Sequence, residues 1–183
     1  MKSLAFKLAV AGAFALALPI TSATATIETP EARMQATEAA DAARGHMIDE
    51  LGEQSLRPGQ FKWVDEVEPG EPVSVVVSLG DQMAYVYGGD RLVGVSTISS
   101  GKAGKDTPTG IFPILEKRTM YRSKKYENAP MPFMQRLDNY GIAMHAGANP
   151  GYPASHGCIR LPAKFAAKLF KMTSIGSTVM IGA

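Results

Sequence analysis

The sequence has almost no cysteine: Cys158 is the single one in 183 residues. A chain with one cysteine cannot form internal disulfides, so it is not a small disulfide-stapled scaffold. If the protein is exported, an unpaired cysteine suggests either a bond to another chain or a free reactive thiol. Cys158 is therefore the first candidate for chemistry.

Long apolar runs are also missing, except near the N-terminus. Leu8 to Leu18 consists of apolar residues and glycine, but a transmembrane helix needs about 20 such residues. Lys2 and Lys7 supply the positive start, and Ala23-Thr24-Ala25 is a small-x-small cleavage site. This pattern predicts a signal peptide over residues 1–25, and hence a secreted or periplasmic protein with no membrane span after cleavage.

The chain lacks an excess of charge of either sign once that segment is removed. The whole sequence has 19 Lys+Arg and 17 Asp+Glu, and the predicted signal carries two lysines and no acid, which leaves 17 of each sign. Nucleic-acid-binding domains carry a basic excess, and binding to a membrane surface needs a polybasic segment. Neither partner is expected.

About 158 residues remain after the signal, which is one domain's worth. Residues 26–71 are interpreted as an N-terminal helical and linker segment. Thr29-Pro30-Glu31 has the form of a helix start, the stretch 32–54 has apolar residues at helical spacing, and Arg57-Pro58-Gly59 breaks the pattern. His46 lies inside this helix without a partner motif, so it is interpreted as a partly exposed helix residue.

Residues 72–183 have the pattern of a mainly β domain with few helices. Short β-branched runs alternate with Gly and Asp turns, which favours an all-β core over a βαβ repeat. The polar stretch 117–139 is predicted to be a long loop that acts as a lid or a binding segment. Strands are predicted at 73–79, 83–87, 91–99, 111–115, 140–144 and 178–181, with a helix starting at Pro162.

Histidine and arginine side chains surround the cysteine in sequence. A thiol attacks as the thiolate, so it needs a base or a positive environment nearby. His145 ends a predicted strand and faces Cys158 across a short loop, so it is the candidate base, while His156 is assigned to the turn or the oxyanion site. Gly157 allows unusual backbone conformations, whose N–H groups can converge on an oxyanion. Arg160 follows two residues later.

Other interpretations of these residues stay open. Cys158 could be an inert buried thiol, or it could bind zinc together with His145 and His156. No fourth ligand is evident nearby, so neither a metal nor another cofactor is expected. Asp138 either orients His145 or forms a turn.

The stretch Ser155-His156-Gly157-Cys158-Ile159-Arg160, with the upstream His145, resembles the signature of the L,D-transpeptidase (YkuD-type) catalytic domain. Thr107 to Phe112 (TPTGIF) resembles that family's TPTG-F segment. Val75 to Tyr87 resembles its first hairpin, and the closing helix with Gly176 to Ile181 resembles its C-terminal end. The resemblance covers residues 72–183, and the fold it implies is a curled β-sandwich or mixed sheet, here with an N-terminal helix and a C-terminal helix–strand end.

The resemblance also implies an activity on peptidoglycan stem peptides. Cys158 would attack the bond after the L-centre of meso-diaminopimelate in a tetrapeptide donor, release D-Ala and pass the acyl group to an amine. His145 would be the base and the carbonyl of Ala146 its partner. The N–H groups of Gly157 and Cys158 would line the oxyanion hole, and Arg160 would order the turn or hold a substrate carboxylate.

Several points remain open in the sequence. Tyr126 and Phe133 are candidates for a substrate lid, with core packing as the alternative.

The acceptor could be a stem peptide, a lipoprotein or a free D-amino acid. Two alternative functions stay open: a hydrolase of the same fold, which uses water as the acceptor, and a non-catalytic peptidoglycan-binding module. The family resemblance also implies inhibition by carbapenems through acylation of Cys158. The segment Ala146 to Ala154 is shorter than in better-known members, which leaves the acceptor side undefined.

Overall fold

The computed structural model describes residues 27–183, and the predicted signal peptide over residues 1–25 lies outside them. Within the described part of the chain, no helix has the length and apolar character needed to cross a membrane. The described residues form two helices and ten strands.

The first helix, α1, spans Pro30–Leu51, close to the prediction. Oγ1 of Thr29 accepts a hydrogen bond of 3.3 Å from the Ala32 N–H, as an N-cap does. Gly52 ends the helix with a left-handed φ of 65°, and its N–H donates to the carbonyl of Ile48. The buried face is made mainly of alanine, which allows close approach to a sheet: Ala32, Ala36, Ala40, Ala43 and Met47.

The strands form two sheets, which confirms the predicted mainly β class with mixed sheets. One sheet has six strands in the order β1-β4-β3-β2-β10-β5, and the other has four in the order β6-β7-β8-β9. The second helix, α2 (Ala163–Met172), lies between β9 and β10. The strands are β1 Phe61–Trp63, β2 Val73–Ser78, β3 Met83–Gly88, β4 Arg91–Thr97, β5 Gly110–Pro113, β6 Glu116–Arg122, β7 Pro130–Arg136, β8 Ala143–Ala146, β9 Ile159–Leu161 and β10 Thr178–Gly182.

The six-stranded sheet has an apolar core on each face. Side chains alternate along β2, so Val75 and Val77 enter the main core while Val76 enters a second core beneath α1. The main core also receives Met144 from β8 and Ile159 from β9. Burial therefore fixes which face of β8 and of β9 points into the core. The residues that alternate with Met144 and Ile159 along these strands point to the opposite face.

The predicted loop over 117–139 is wrong as a structural assignment. This stretch forms the antiparallel hairpin of β6 and β7, with Arg122 opposite Pro130. Arg118, Thr119 and Met120 are exposed in succession, so β6 lacks the apolar alternation by which a half-buried strand is recognised. The hairpin forms one wall of the cleft described below.

The segment before residue 72 is part of the same folded unit. β1 pairs with β4 at the edge of the six-stranded sheet, and Ile27 bridges to Ile111 in β5. The indole of Trp63 stacks on the ring of Phe165 in α2, with centroids 4.6 Å apart at an interplanar angle of 17°. The N-terminal segment therefore supports the helix that follows the Cys158 block.

We expect Trp63→Ala to lower the free energy of unfolding by about 2–4 kcal/mol, because it removes a large half-buried aromatic from this contact. Trp63→Phe should retain most of the stability. Circular dichroism during urea unfolding measures both, since Trp63 is the single tryptophan and fluorescence would be lost. A loss below about 0.5 kcal/mol would show that β1 is not coupled to the core.

Candidate active site

Two neighbouring parallel strands place His145 and Cys158 at one cleft. In the register of β8 and β9, Met144 lies opposite Ile159 and His145 opposite Arg160. Met144 and Ile159 are buried in the core, so His145, Arg160 and the preceding Cys158 face away from it. All three line an open cleft of about 1150 Å³.

The turn before Cys158 depends on Gly157. Its φ is +113°, and a Cβ at this position would lie 2.8 Å from Cδ1 of Ile142, so a larger residue would be strained and would clash. Ser155 closes the turn: its Oγ accepts from the Gly157 N–H at 3.1 Å and donates to the Cys158 carbonyl at 2.5 Å. Ser155 is a buried residue that positions this turn, a role that the sequence motif alone did not indicate.

The Gly101–Gly110 loop supports the same turn from behind. Thr107 Oγ1 donates to the Gly157 carbonyl at 2.8 Å and accepts from the Gly101 N–H at 2.9 Å. The Lys102 N–H donates to the Ser155 carbonyl at 3.1 Å. These contacts give the TPTG segment a physical role, which is to hold the backbone before Cys158.

His145 is fixed by a backbone partner in its own strand. Its Nδ1 lies 2.9 Å from the carbonyl oxygen of Ala146. A carbonyl can only accept, so Nδ1 carries the proton and donates, and Nε2 is the basic nitrogen of the neutral ring. The arrangement that the family resemblance implies for Ala146 is thus present as geometry.

Burial disfavours the charged forms of both His145 and Cys158. Burial lowers the pKa of His145 below its ordinary value, the Ala146 hydrogen bond partly opposes this, and the positive charge of Arg160 lowers the pKa further. Burial raises the pKa of the Cys158 thiol; the backbone amide of Ala143 lowers it, nearby Asp138 raises it and Arg160 lowers it. Both shifts favour the neutral forms, a thiol and an imidazole, over a thiolate and an imidazolium.

Asp138 forms a turn, the second of the two roles considered for it. Its Oδ1 accepts hydrogen bonds of 2.9, 2.7 and 2.8 Å from the N–H groups of Tyr140, Gly141 and Ile142. The carbonyl of Gly141, held in this turn, accepts from Sγ of Cys158 at 3.5 Å. Asp138 therefore acts on the thiol through the backbone and through its charge, and not through His145.

The two N–H groups predicted for the oxyanion hole differ in availability. The Gly157 N–H is already donated to Ser155. The Cys158 N–H has no protein acceptor among the described residues, so it is the one free to meet a developing negative charge.

His156 is exposed and contacts the hairpin. Its ring stacks on Tyr126 with centroids 4.4 Å apart at 18°, and both residues line the cleft. Phe133 lies elsewhere: its φ of 54° interrupts β7, and its ring packs on Phe170 of α2 at 5.9 Å. Of the two candidate lid residues, the structure brings only Tyr126 to the site.

Residues 27–183 contain no group of three or more His, Cys, Asp or Glu side chains placed to hold a metal ion.

The short loop between His145 and Ser155 is held by β4 together with the N-terminal segment. Thr97 Oγ1 accepts from the N–H of Gly59 at 3.0 Å and from Nδ2 of Asn149 at 3.1 Å, and it donates to the Gln60 carbonyl at 3.1 Å. Pro58 packs so closely on Gly151 that a Cβ there would lie 2.4 Å from Cγ of the proline. Residues outside the sequence signature thus set the shape of this side of the cleft.

Residues 72–181 match the family model described as YkuD, the L,D-transpeptidase catalytic domain. The chain belongs to this family. The expectation drawn from the Ser-His-Gly-Cys signature is therefore confirmed at the level of the family and of its fold. A search of curated proteins found no match.

Solved structures of L,D-transpeptidases share the fold. One from Stackebrandtia nassauensis is 28% identical with a TM-score of 0.56, covering 62% of this chain and 57% of that one. One from Xylanimonas cellulosilytica is 26% identical with a TM-score of 0.55, covering 62% of each. L,D-transpeptidase 3 from Mycobacterium tuberculosis, in complex with a faropenem-derived adduct, is 20% identical with a TM-score of 0.57, covering 62% and 61%. The match thus spans less than two thirds of each of these chains.

The shifted pKa values of Cys158 and His145 predict different pH dependences for alkylation and for acylation of the thiol. Alkylation of Cys158 by iodoacetamide needs the thiolate, so its rate should rise at a higher pH than for a cysteine in an unfolded peptide, because burial raises the pKa of the thiol. Acylation by a β-lactam needs neutral His145, so it should persist below the pH at which an ordinary histidine becomes protonated. Rapid alkylation at mildly acidic pH would instead indicate a thiolate–imidazolium pair.

Proposed function

We propose that this protein is an exported cell-wall enzyme that acts as a peptidoglycan L,D-transpeptidase. Cys158 attacks the carbonyl at the L-centre of meso-diaminopimelate in a stem tetrapeptide, and the bond to the terminal D-Ala breaks. An amine acceptor then takes the acyl group from sulfur, which forms a new amide and restores the thiol. The observation that carries the proposal is the placement of Cys158 and His145 on one cleft, with Nδ1 of His145 bound to Ala146.

His145 accepts and donates the proton in both half-reactions. As Sγ attacks, Nε2 accepts the thiol proton; the imidazolium then donates it to the departing amine of D-Ala. In the second half the acceptor amine gives its proton to Nε2 as it attacks the thioester, and the proton returns to sulfur. Burial disfavours the charged forms of both groups at rest, which favours proton transfer during the attack over transfer before it.

Two groups are suited to the charges that develop on the substrate. The unpaired Cys158 N–H would receive the oxyanion of the tetrahedral intermediate. The backbone N–H of Arg160 donates to the Ser99 carbonyl, and the Arg160 carbonyl accepts from the Ser99 N–H. The aliphatic carbons of the Arg160 side chain pack on Gly147. Arg160 lines the cleft, where its guanidinium would hold a substrate carboxylate.

A muropeptide assay tests the proposal. Purified protein incubated with tetrapeptide muropeptides should release D-Ala and form cross-linked products, which mass spectrometry identifies. Shortened stems without cross-links would replace the transferase with a hydrolase of the same fold. No change of the stems would leave the non-catalytic peptidoglycan-binding module. Adding lipoprotein peptides and free D-amino acids as competing amines would then identify the acceptor.

Inhibition by carbapenems is part of the same proposal. Their strained lactam presents an acyl group to the thiol, so slow acylation of Cys158 is expected. Faropenem is a penem with the same strained lactam, so the faropenem-derived adduct of the M. tuberculosis protein supports acylation by a β-lactam through analogy of fold.

A further inference from the structure

The cleft is strongly cationic although the exported protein is expected to be neutral. Five of the residues that line the cleft are basic and one is acidic: Arg118, Lys124, Lys125, Arg136, Arg160 and Glu116. Residues 26–183 carry 17 basic and 17 acidic side chains, so this positive charge is concentrated at the cleft and is not an average property. Charge of one sign along a cleft raises the local concentration of ligands of the opposite sign.

Salt bridges within the protein neutralise only part of the positive charge that lines the cleft. Glu116 contacts Nε of Arg118 at 2.5 Å and Nη2 of Arg136 at 2.8 Å, so one carboxylate serves two guanidinium groups. Lys124, Lys125 and Arg160 have no carboxylate partner among the described residues.

The two lysines lie where the hairpin meets the catalytic turn. Nζ of Lys125 lies 5.7 Å from the ring centroid of Tyr126, and Tyr126 stacks on His156, two residues before the nucleophile. No salt bridge among the described residues joins either lysine to the nearby acids: Glu127 does not line the cleft, and Asp138 accepts three backbone N–H groups at Oδ1.

We infer that the cleft selects donor stem peptides that carry free carboxylates over the same peptides with carboxamides, and that Lys124 and Lys125 determine this specificity. The inference rests on the proposed function. A stem peptide carries carboxylates at its D-glutamate and at the D-centre of meso-diaminopimelate, neither of which takes part in the acyl transfer. These groups would pair with the lysine ammonium groups, while Arg160 stays next to the reacting centre.

The test compares two tetrapeptide donors, one with both carboxylates free and one with both amidated, against the same D-amino acid acceptor. Unaltered protein should prefer the free acid in kcat/KM, chiefly through KM. Lys124→Gln combined with Lys125→Gln should reduce this preference about twofold or more, since each exposed ion pair is worth about a 1.4- to fivefold change in affinity. Added salt should reduce it as well.

Lys171→Gln is the matched control, because it removes the same charge from an exposed position on α2 outside the cleft. It should leave the preference unchanged, and Lys124→Arg with Lys125→Arg should retain it. Equal use of both donors by the unaltered protein, or an unchanged preference in the double Gln variant, would overturn the inference while the transferase activity stands. If neither donor reacts, the proposed function fails, and the ratio of dissociation constants for the two peptides by calorimetry still decides whether the cleft selects for charge.

Discussion

Replacing Cys158 by alanine is expected to abolish formation of the acyl-enzyme completely. Cys158 is the only cysteine, so no other thiol can take its place, and the covalent route is lost with the sulfur. The intact mass of the protein after long incubation with a carbapenem or a tetrapeptide donor should show one adduct for the unaltered chain and none for Cys158→Ala. Release of D-Ala should fall to background.

This variant should remain folded, which makes the loss interpretable. The Cys158 side chain is half-buried, and its thiol donates only a long hydrogen bond to the Gly141 carbonyl. Its removal should cost at most about 1 kcal/mol of stability, which thermal unfolding would measure. Turnover of a donor by the alanine variant at more than background would contradict the assignment of the nucleophile.

Much of the site was predictable because its residues lie close together in sequence. The block from Ser155 to Arg160 follows His145 after a short loop, and a strand ending at His145 already places the two near each other. The register of β8 and β9 supplies what spacing cannot: it puts His145 and Cys158 on the face opposite the buried Met144 and Ile159.

The contacts that sequence reasoning missed join residues far apart in the chain. Thr107 reaches the Gly157 carbonyl across 50 positions, and Thr97 reaches Asn149 across 52. Neither a threonine in a loop nor one at the end of a strand carries a local signal for such a partner. The hairpin of β6 and β7 was missed for a different reason, because its exposed face carries polar side chains where a strand pattern needs alternation.

Burial of His145 and partial burial of Cys158 act against charge on either side chain, although the cleft is cationic. Burial raises the pKa of the thiol, and Arg160 opposes this only in part. A thiol that stays protonated forms no ion pair with the cations that line the cleft. Under the proposed mechanism, those cations are then left to bind carboxylates of the substrate.

The second large effect is expected from His145. His145→Ala should slow acylation by a donor or a carbapenem by about 100- to 10,000-fold, the range for loss of a positioned general base. Stopped-flow or quenched mass measurements would give this rate. Alkylation of Cys158 by iodoacetamide should change little, because the resting thiol does not owe its protonation state to an imidazolium.

Two other histidine variants serve as controls. His46 bonds to the Tyr87 hydroxyl at 2.9 Å, in the contact between α1 and the sheet, so His46→Ala should leave acylation unchanged. His156→Ala removes the stack on Tyr126 and should weaken donor binding more than it slows the chemical step. If His156→Ala lost as much acylation rate as His145→Ala, the base would have to be reassigned. If alkylation fell in parallel with acylation in His145→Ala, the resting pair would be ionic, because only an imidazolium-stabilised thiolate would lose its reactivity in this way.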